Sequence, residues 1–187
     1  MSGKLFVLTG PSGVGKTTIA KQLLAELPNL TRLITFTTRE SRPGEQNDVD
    51  YHFIDEATFR GMIDQGAFFE HANVYGKLYG NATAELEELL ASGKNVLMVV
   101  DVQGAKTVAE KRSEATTIFL AADSVENLLA RLEGRGTSDD ADLEKRRAQL
   151  ETETAFGEQC NHTVINTEGQ IDQTVEAVRT IIESKQG

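Results

Sequence analysis

Apolar residues fall along the chain in two rhythms. Leu5–Leu8, Val96–Val100, Thr117–Leu120 and Thr163–Ile165 are short, nearly unbroken apolar runs. Runs of that kind belong to strands covered on both faces, as in a parallel sheet. Between them the period lengthens. Ile19, Leu23, Leu24 and Leu27 recur at near-helical spacing and stop at Pro28. Val125, Leu128, Leu129 and Leu132 form an i, i+3, i+4, i+7 stripe behind Ser124, a good N-cap residue. Ile171, Val175, Val178 and Ile182 mark a C-terminal helix. Strands alternating with helices predict an α/β fold, a parallel sheet flanked by helices.

Two stretches interrupt the alternation. From about Thr35 to Leu90 the chain carries β-like pieces (Asp50–Ile54, Ala67–Ala72), a Pro43-Gly44 turn and the aromatics Phe36, Tyr51, Tyr75 and Tyr79. This reads as a small inserted subdomain. From Glu133 to about Leu143, Gly134 and Gly136 flank Arg135 ahead of Ser138-Asp139-Asp140. A polar, Gly-flanked segment between helices is expected to act as a lid. The division expected is one domain, with core 1–34 and 91–187, an insertion at about 35–90 and a lid at about 133–155.

Composition narrows the function more than the fold. The 187 residues include 19 Lys and Arg against 29 Asp and Glu, a formal charge of −10. That balance argues against a broad nucleic-acid or anionic-membrane surface, which needs extended positive charge. No apolar run reaches the ~18–20 residues of a membrane span. Met1-Ser2-Gly3-Lys4 leads straight into a predicted strand, so no signal peptide is expected, and one Cys, Cys160, excludes an intrachain disulfide. A cytoplasmic location is the expectation. His52, His71 and His162 are scattered without metal-ligand spacing, so no structural zinc is expected.

The clearest chemistry lies at Gly10-Pro11-Ser12-Gly13-Val14-Gly15-Lys16-Thr17, which satisfies G-x-x-x-x-G-K-[ST] between a strand and an amphipathic helix. Its glycines let backbone N–H groups converge on phosphate oxygens, and the helix N-terminus adds its positive dipole end. Lys16 supplies a mobile charge for β- and γ-phosphates, and the Thr17 hydroxyl is placed for Mg²⁺. The expected ATP site is Gly10, Ser12, Gly13, Val14, Gly15, Lys16, Thr17 and Thr18. A nucleoside triphosphate site names no reaction, because the acceptor has to be read elsewhere.

Thr37-Thr38-Arg39-Glu40-Ser41-Arg42-Pro43-Gly44-Glu45, then Asp50-Tyr51-His52-Phe53, closely resembles the signature of guanylate kinases. So do Phe69-Glu70-His71, Tyr79-Gly80, Asp101-Val102-Gln103-Gly104 and Arg131-Leu132-Glu133-Gly134-Arg135-Gly136-Thr137. These blocks keep the family's order and spacing from Leu5 to about Ile165. The resemblance implies a P-loop NTPase-type parallel sheet with an acceptor-binding subdomain and a lid, and transfer of the γ-phosphoryl of MgATP to GMP or dGMP. It assigns the GMP phosphate to Arg39, Arg42, Tyr51 and Tyr79, chemistry that two guanidinium forks and two hydroxyls suit. It makes Glu70 the reader of guanine, whose adjacent N1–H and N2–H donors one carboxylate can accept, while adenine leaves that carboxylate unpaired. Arg131, Arg135 and Arg146 are implied to close over the triphosphate and neutralise the transferring group, Arg131 and Arg135 as part of the ATP site, so that Lys16, Arg39, Arg135 and Arg146 form the catalytic set.

Asp101, at the end of a buried strand beside the phosphate loop, suits a role toward Mg²⁺, directly or through water, or toward the acceptor nucleoside; it also suits a helix N-cap. Four positions depart from the common family form: Thr35 where Ser is usual, Phe36, Asn81 after Tyr79-Gly80 where Ser or Thr is typical, and Thr167. Thr35 and Asn81 join the expected GMP site, and an Asn81→Ser exchange is expected to be tolerated or to improve kcat/KM for GMP. The rival readings are a kinase of the same fold acting on another phosphorylated acceptor and a non-catalytic guanylate-kinase-like protein-binding module. A complete phosphate loop speaks against the module, and Glu70 against an acceptor without guanine.

Overall fold

The computed structural model describes residues 2–74, 76–124, 128 and 152–185. Its larger sheet takes β1 (Leu5–Thr9), β2 (Leu30–Arg32), β7 (Asn95–Val99), β8 (Thr116–Ala122) and β9 (His162–Asn166) in the order β2-β7-β1-β8-β9. Every neighbouring pair runs parallel, with Leu5 opposite Val96 and Phe6 opposite Thr116. Both faces are covered, which is why the strands read as unbroken apolar runs. Phe6, Leu8, Leu97, Ile118 and Leu120 pack with Ile19 and Leu23 of α1 (Lys16–Glu26) and with Val175, Val178 and Ile182 of the C-terminal helix Ile171–Ser184. Leu5, Val7, Val96, Met98 and Phe119 pack on the other face with Leu86 and Leu90 of α3 (Thr83–Ala91) and Ala105 and Val108 of α4 (Val102–Lys111).

A parallel sheet sends all its strands' C-terminal ends to one edge, where ligands bind in such folds. Gly10 follows β1 at that edge, Asp101 follows β7, and Arg32 closes β2. The insertion builds a separate four-stranded sheet in the order β4-β3-β6-β5, from β3 (Phe36–Thr37), β4 (His52–Phe53), β5 (Phe68–Val74) and β6 (Lys77–Ala82). β5 and β6 pair antiparallel, with a register shift between Phe68 and Glu70. α2 (Glu56–Asp64) starts at Asp55, whose carboxylate accepts the Thr58 N–H at 2.7 Å, and stacks its Phe59 on Phe68 with ring centroids 4.5 Å apart.

Several elements carried too little local signal to be anticipated. β2 is a three-residue edge strand, and α2, α3, α4 and β6 were hidden in segments read only as insertion or as motif. The β-like stretch expected at Asp50–Ile54 shrinks to His52–Phe53, because Tyr51 makes only an isolated bridge with Asn47. Of the stripe expected over 125–132, Leu128 alone is described, and it is buried. The lid lies outside the described residues except for 152–155, part of a short helical stretch at 152–157. No described helix is long and apolar enough to cross a membrane.

Candidate active site

The phosphate loop links the end of β1 to the start of α1. Gly15, the N-cap position, sits at φ 103°, and a Cβ there would stand 2.8 Å from Asn166 Nδ2. That amide donates to the Val14 carbonyl at 2.8 Å, while Asn166 Oδ1 accepts from the Thr174 hydroxyl at 2.9 Å. The loop is therefore braced from β9 and the C-terminal helix, by a residue that no motif singled out. Holding one loop carbonyl outward leaves the loop amides to face inward. The Lys16 ammonium donates to the carbonyls of Gly10 at 2.5 Å and Pro11 at 2.9 Å.

One cavity of about 350 Å³ joins this loop to the small sheet. On the loop side it is lined by Gly10, Ser12, Gly13, Gly15, Lys16, Thr17 and Thr18. On the acceptor side Thr35, Arg39, Arg42, Tyr51, Glu70, Tyr79 and Asn81 line it, with Asp101 at the sheet edge between. Val14 is the exception among the expected loop residues: its side chain is fully buried in the core and does not reach the cavity. Arg131, Arg135 and Arg146 lie outside the described residues.

Two acidic residues line the cavity without having been anticipated, Glu45 and Glu153. Glu45 accepts two hydrogen bonds from Arg39 Nη2, at 2.9 and 3.0 Å, and one from the Arg42 backbone N–H at 2.8 Å. It orders both arginine positions, a role that its place two residues after the Pro-Gly turn's proline did not disclose. The Arg39 guanidinium also lies 5.2 Å from the Tyr51 ring centroid and 5.7 Å from that of Phe53.

The opposite wall is a buried hydrogen-bonded chain. The Thr35 hydroxyl donates to Asn81 Oδ1 at 3.0 Å, and Asn81 Nδ2 donates to Glu70 Oε1. Asn81 is fully buried, and Thr35 and Glu70 nearly so. Burial pushes the Glu70 carboxyl up to about 7; the Asn81 amide and the Lys111 charge oppose the rise, and the Asp101 charge adds to it. Gly104 of α4 leaves the room Glu70 needs, since a Cβ there would fall 2.7 Å from Glu70 Oε2. Asp101 is indeed the N-cap of α4, its Oδ1 accepting the Gly104 N–H at 2.8 Å, and it lines the cavity as well. Burial raises its carboxyl too, opposed by that N–H and by the Lys16 charge.

Backbone amides with a lysine can hold a polyphosphate, and two arginines with two tyrosines can hold a second phosphate. A buried carboxylate beside a buried amide selects a partner edge by its donors. Among the described residues no three His, Cys, Asp or Glu cluster to hold a metal. Mg²⁺ needs no such cage, because it keeps waters and takes its remaining ligands from phosphates and one or two protein oxygens. Thr17 and Asp101, both oxygen donors at the cavity, fit it.

A family model described as guanylate kinase matches residues 2–185. A guanylate kinase of Chlorobium chlorochromatii is 45% identical over 166 residues, which cover 88% of this chain and 87% of the relative. The crystal structure of guanylate kinase from Anaplasma phagocytophilum superposes with a TM-score of 0.80 at 29% identity, over 99% of this chain and 87% of the other. A shikimate kinase structure from Bacteroides thetaiotaomicron shares the fold alone, with a TM-score of 0.55 at 19% identity, over 96% of this chain and 98% of the other.

Proposed function

The chain belongs to the guanylate kinase family, and on that footing we propose how its own residues divide the work. The enzyme phosphorylates GMP at the expense of ATP. The ATP phosphates lie on the loop amides of Gly10 to Thr18, with the Lys16 ammonium exchanging its loop carbonyls for β- and γ-phosphate oxygens. The acceptor phosphate lies against Arg39, Arg42, Tyr51 and Tyr79, with Glu45 holding the two arginine positions. Guanine N1–H and N2–H face Glu70, and Asn81 and Thr35 complete the base wall. dGMP fits the same wall, because no residue assigned to base or phosphate needs a 2′-hydroxyl. Thr17, and Asp101 through water, would hold Mg²⁺, which would supply charge to neutralise the triphosphate.

The observation that carries this reading is that the phosphate loop and the residues from Arg39 to Glu70 line one shared cavity. Phosphoryl transfer asks the protein for little beyond positioning and charge. With donor and acceptor phosphates between the two walls, the acceptor oxygen can approach the γ-phosphorus from the side opposite the leaving oxygen. We assign 35–90 to acceptor binding, 133–155 to the lid, and Arg131, Arg135 and Arg146, outside the described residues, to the phosphates. Closing the site excludes water, which would compete with GMP as acceptor.

The deciding assay is ADP release from MgATP with GMP, dGMP, AMP, CMP and UMP offered separately. Turnover confined to GMP and dGMP is the expected result. Turnover spread over several bases would remove Glu70's discriminating role, and turnover with none would move the acceptor to another phosphorylated compound.

A further inference from the structure

Arg32 ends β2 at the ligand edge of the core sheet, and no motif singled it out. Its Nε and Nη2 are buried and have no hydrogen-bond partner among the described residues. Leaving a buried guanidinium so is costly, and native proteins rarely keep such a group idle. Its guanidinium carbon lies 5.3 Å from the Tyr51 ring centroid. The Arg39 guanidinium lies 5.2 Å from the same ring. Tyr51 is thus held by two cations, one from the core sheet and one from the acceptor wall, with its ring 6.3 Å from that of Tyr79.

The residue before Tyr51 is tied to the core as well. Asp50 is buried, and its Oδ1 accepts from Lys21 Nζ of α1 at 2.7 Å while Oδ2 accepts the Gln46 N–H at 3.0 Å. Lys21 and, at longer range, the Arg32 charge hold the Asp50 carboxyl below its ordinary range, while no ion pair within 4 Å joins Arg32 to a described acid.

We propose that Arg32 is a positioning residue for the acceptor phosphate: it holds the Tyr51 ring from the core side, so that the Tyr51 hydroxyl stays aimed into the cavity. Attraction between a guanidinium and an aromatic face suits this role. An unpaired guanidinium also keeps its positive potential, which the acceptor dianion gains and a paired one would forfeit. Arg32 acts through Tyr51 and does not itself line the cavity. The inference rests on the placement of the acceptor phosphate at Tyr51 proposed above.

The test is a double-mutant cycle of Arg32→Met and Tyr51→Phe, read by GMP binding at equilibrium and by steady-state kinetics. Arg32→Met keeps the aliphatic stem and removes the charge. It should weaken GMP binding about 3- to 10-fold, with kcat and the KM for ATP within about 2-fold. Arg32→Lys should restore part of the loss, since it keeps the cation and loses the planar face. On the Tyr51→Phe background, Arg32→Met should cost distinctly less than on the parent, because there is no hydroxyl left to aim. Full additivity of the two changes would overturn the proposal, and so would unchanged GMP binding in Arg32→Met alongside weakened binding in Tyr51→Phe. Equal weakening for GMP and ATP would also overturn it, as a general structural effect. Unchanged GMP binding in Tyr51→Phe itself would move the phosphate away from Tyr51 and remove the premise with the inference.

Discussion

The two walls of the cavity are built on opposite plans. The phosphate loop occupies one contiguous stretch, works through backbone N–H groups, and is braced from behind by Asn166. The acceptor wall collects side chains from Thr35 to Asp101 on short strands and turns, and holds them by contacts among themselves: Glu45 to Arg39, and Thr35 to Asn81 to Glu70. The difference follows from what each must recognise. Any nucleoside triphosphate presents the same phosphate oxygens, which backbone amides read without selectivity. A particular base presents a pattern of donors and acceptors, which takes oriented and desolvated side chains. Changes at Ser12 and Thr18, loop side chains outside the core at positions free of positive φ, should therefore be nearly silent, and most changes in the acceptor wall should be felt.

Lys16 is the loop side chain whose loss should be felt most. Lys16→Met should lower kcat by at least about 10²–10³-fold with the fold intact by circular dichroism and melting. Turnover retained within about 10-fold would show that the amides alone bind and neutralise the triphosphate.

Glu70 sharpens the contrast on the other wall. Glu70→Gln should cost roughly 10²-fold in kcat/KM for GMP, because the new amide N–H groups meet guanine donors. The same change should raise stability at neutral pH. The folded carboxyl titrates at about 7, above its ordinary 4.5. This group's contribution to stability is thus intact at pH below 4.5, falls as pH rises from there to 7, and stays low above that. A gain on the order of 1 kcal/mol in Glu70→Gln at pH 8, a few degrees in Tm, would mark the ionised carboxylate as held for recognition at the expense of stability. A lower Tm in the variant would sink that account.

The pH profile tests the same group without mutation. As pH falls below about 7, Glu70 takes up a proton and loses an acceptor. kcat/KM for GMP should then drop by up to about tenfold per pH unit, beyond the GMP phosphate's own titration. The profile of Glu70→Gln should lack that limb; an identical profile would assign it elsewhere.

Asn81→Ser is the smallest of these effects and the one on which the structure revises the sequence-based expectation. A serine was expected to be tolerated as the common family residue. Here the amide donates to Glu70 and accepts from Thr35 at once, spanning a gap that the shorter hydroxyl does not. The expected outcome is a loss of about 10-fold in kcat/KM for GMP, or ~1.4 kcal/mol, with the KM for ATP unchanged. Parent-like kinetics would show that Glu70 holds its orientation without Asn81.

Much of this was legible in one dimension, and the reason is local. Unbroken apolar runs announce strands buried on both faces, and Phe6 and Leu8 do pack on one side while Leu5 and Val7 pack on the other. The phosphate loop's glycines and lysine act within a few residues of each other, so their spacing alone states their use. Arg39, Arg42, Tyr51, Glu70 and Tyr79 were legible through the family's motif blocks, and the structure brings them to one cavity. Val14, by contrast, sat in the motif and yet turns inward, since a loop that offers its amides must anchor its apolar side chain in the core.

By itself, then, the sequence determined the α/β class, the triphosphate loop and the kinds of group that meet the acceptor, because each depends on neighbours in the chain. Only the tertiary structure decided that a three-residue β2 would edge the sheet and bring Arg32 to Tyr51. The same holds for Asn166, which reaches across 152 positions to hold Val14, and for Asn81, which is spent inside the wall on Glu70 and Thr35. These contacts join residues far apart in the chain whose types carry no local signature. Their roles come from the directions in which the folded backbone aims a few polar atoms once water has been excluded around them.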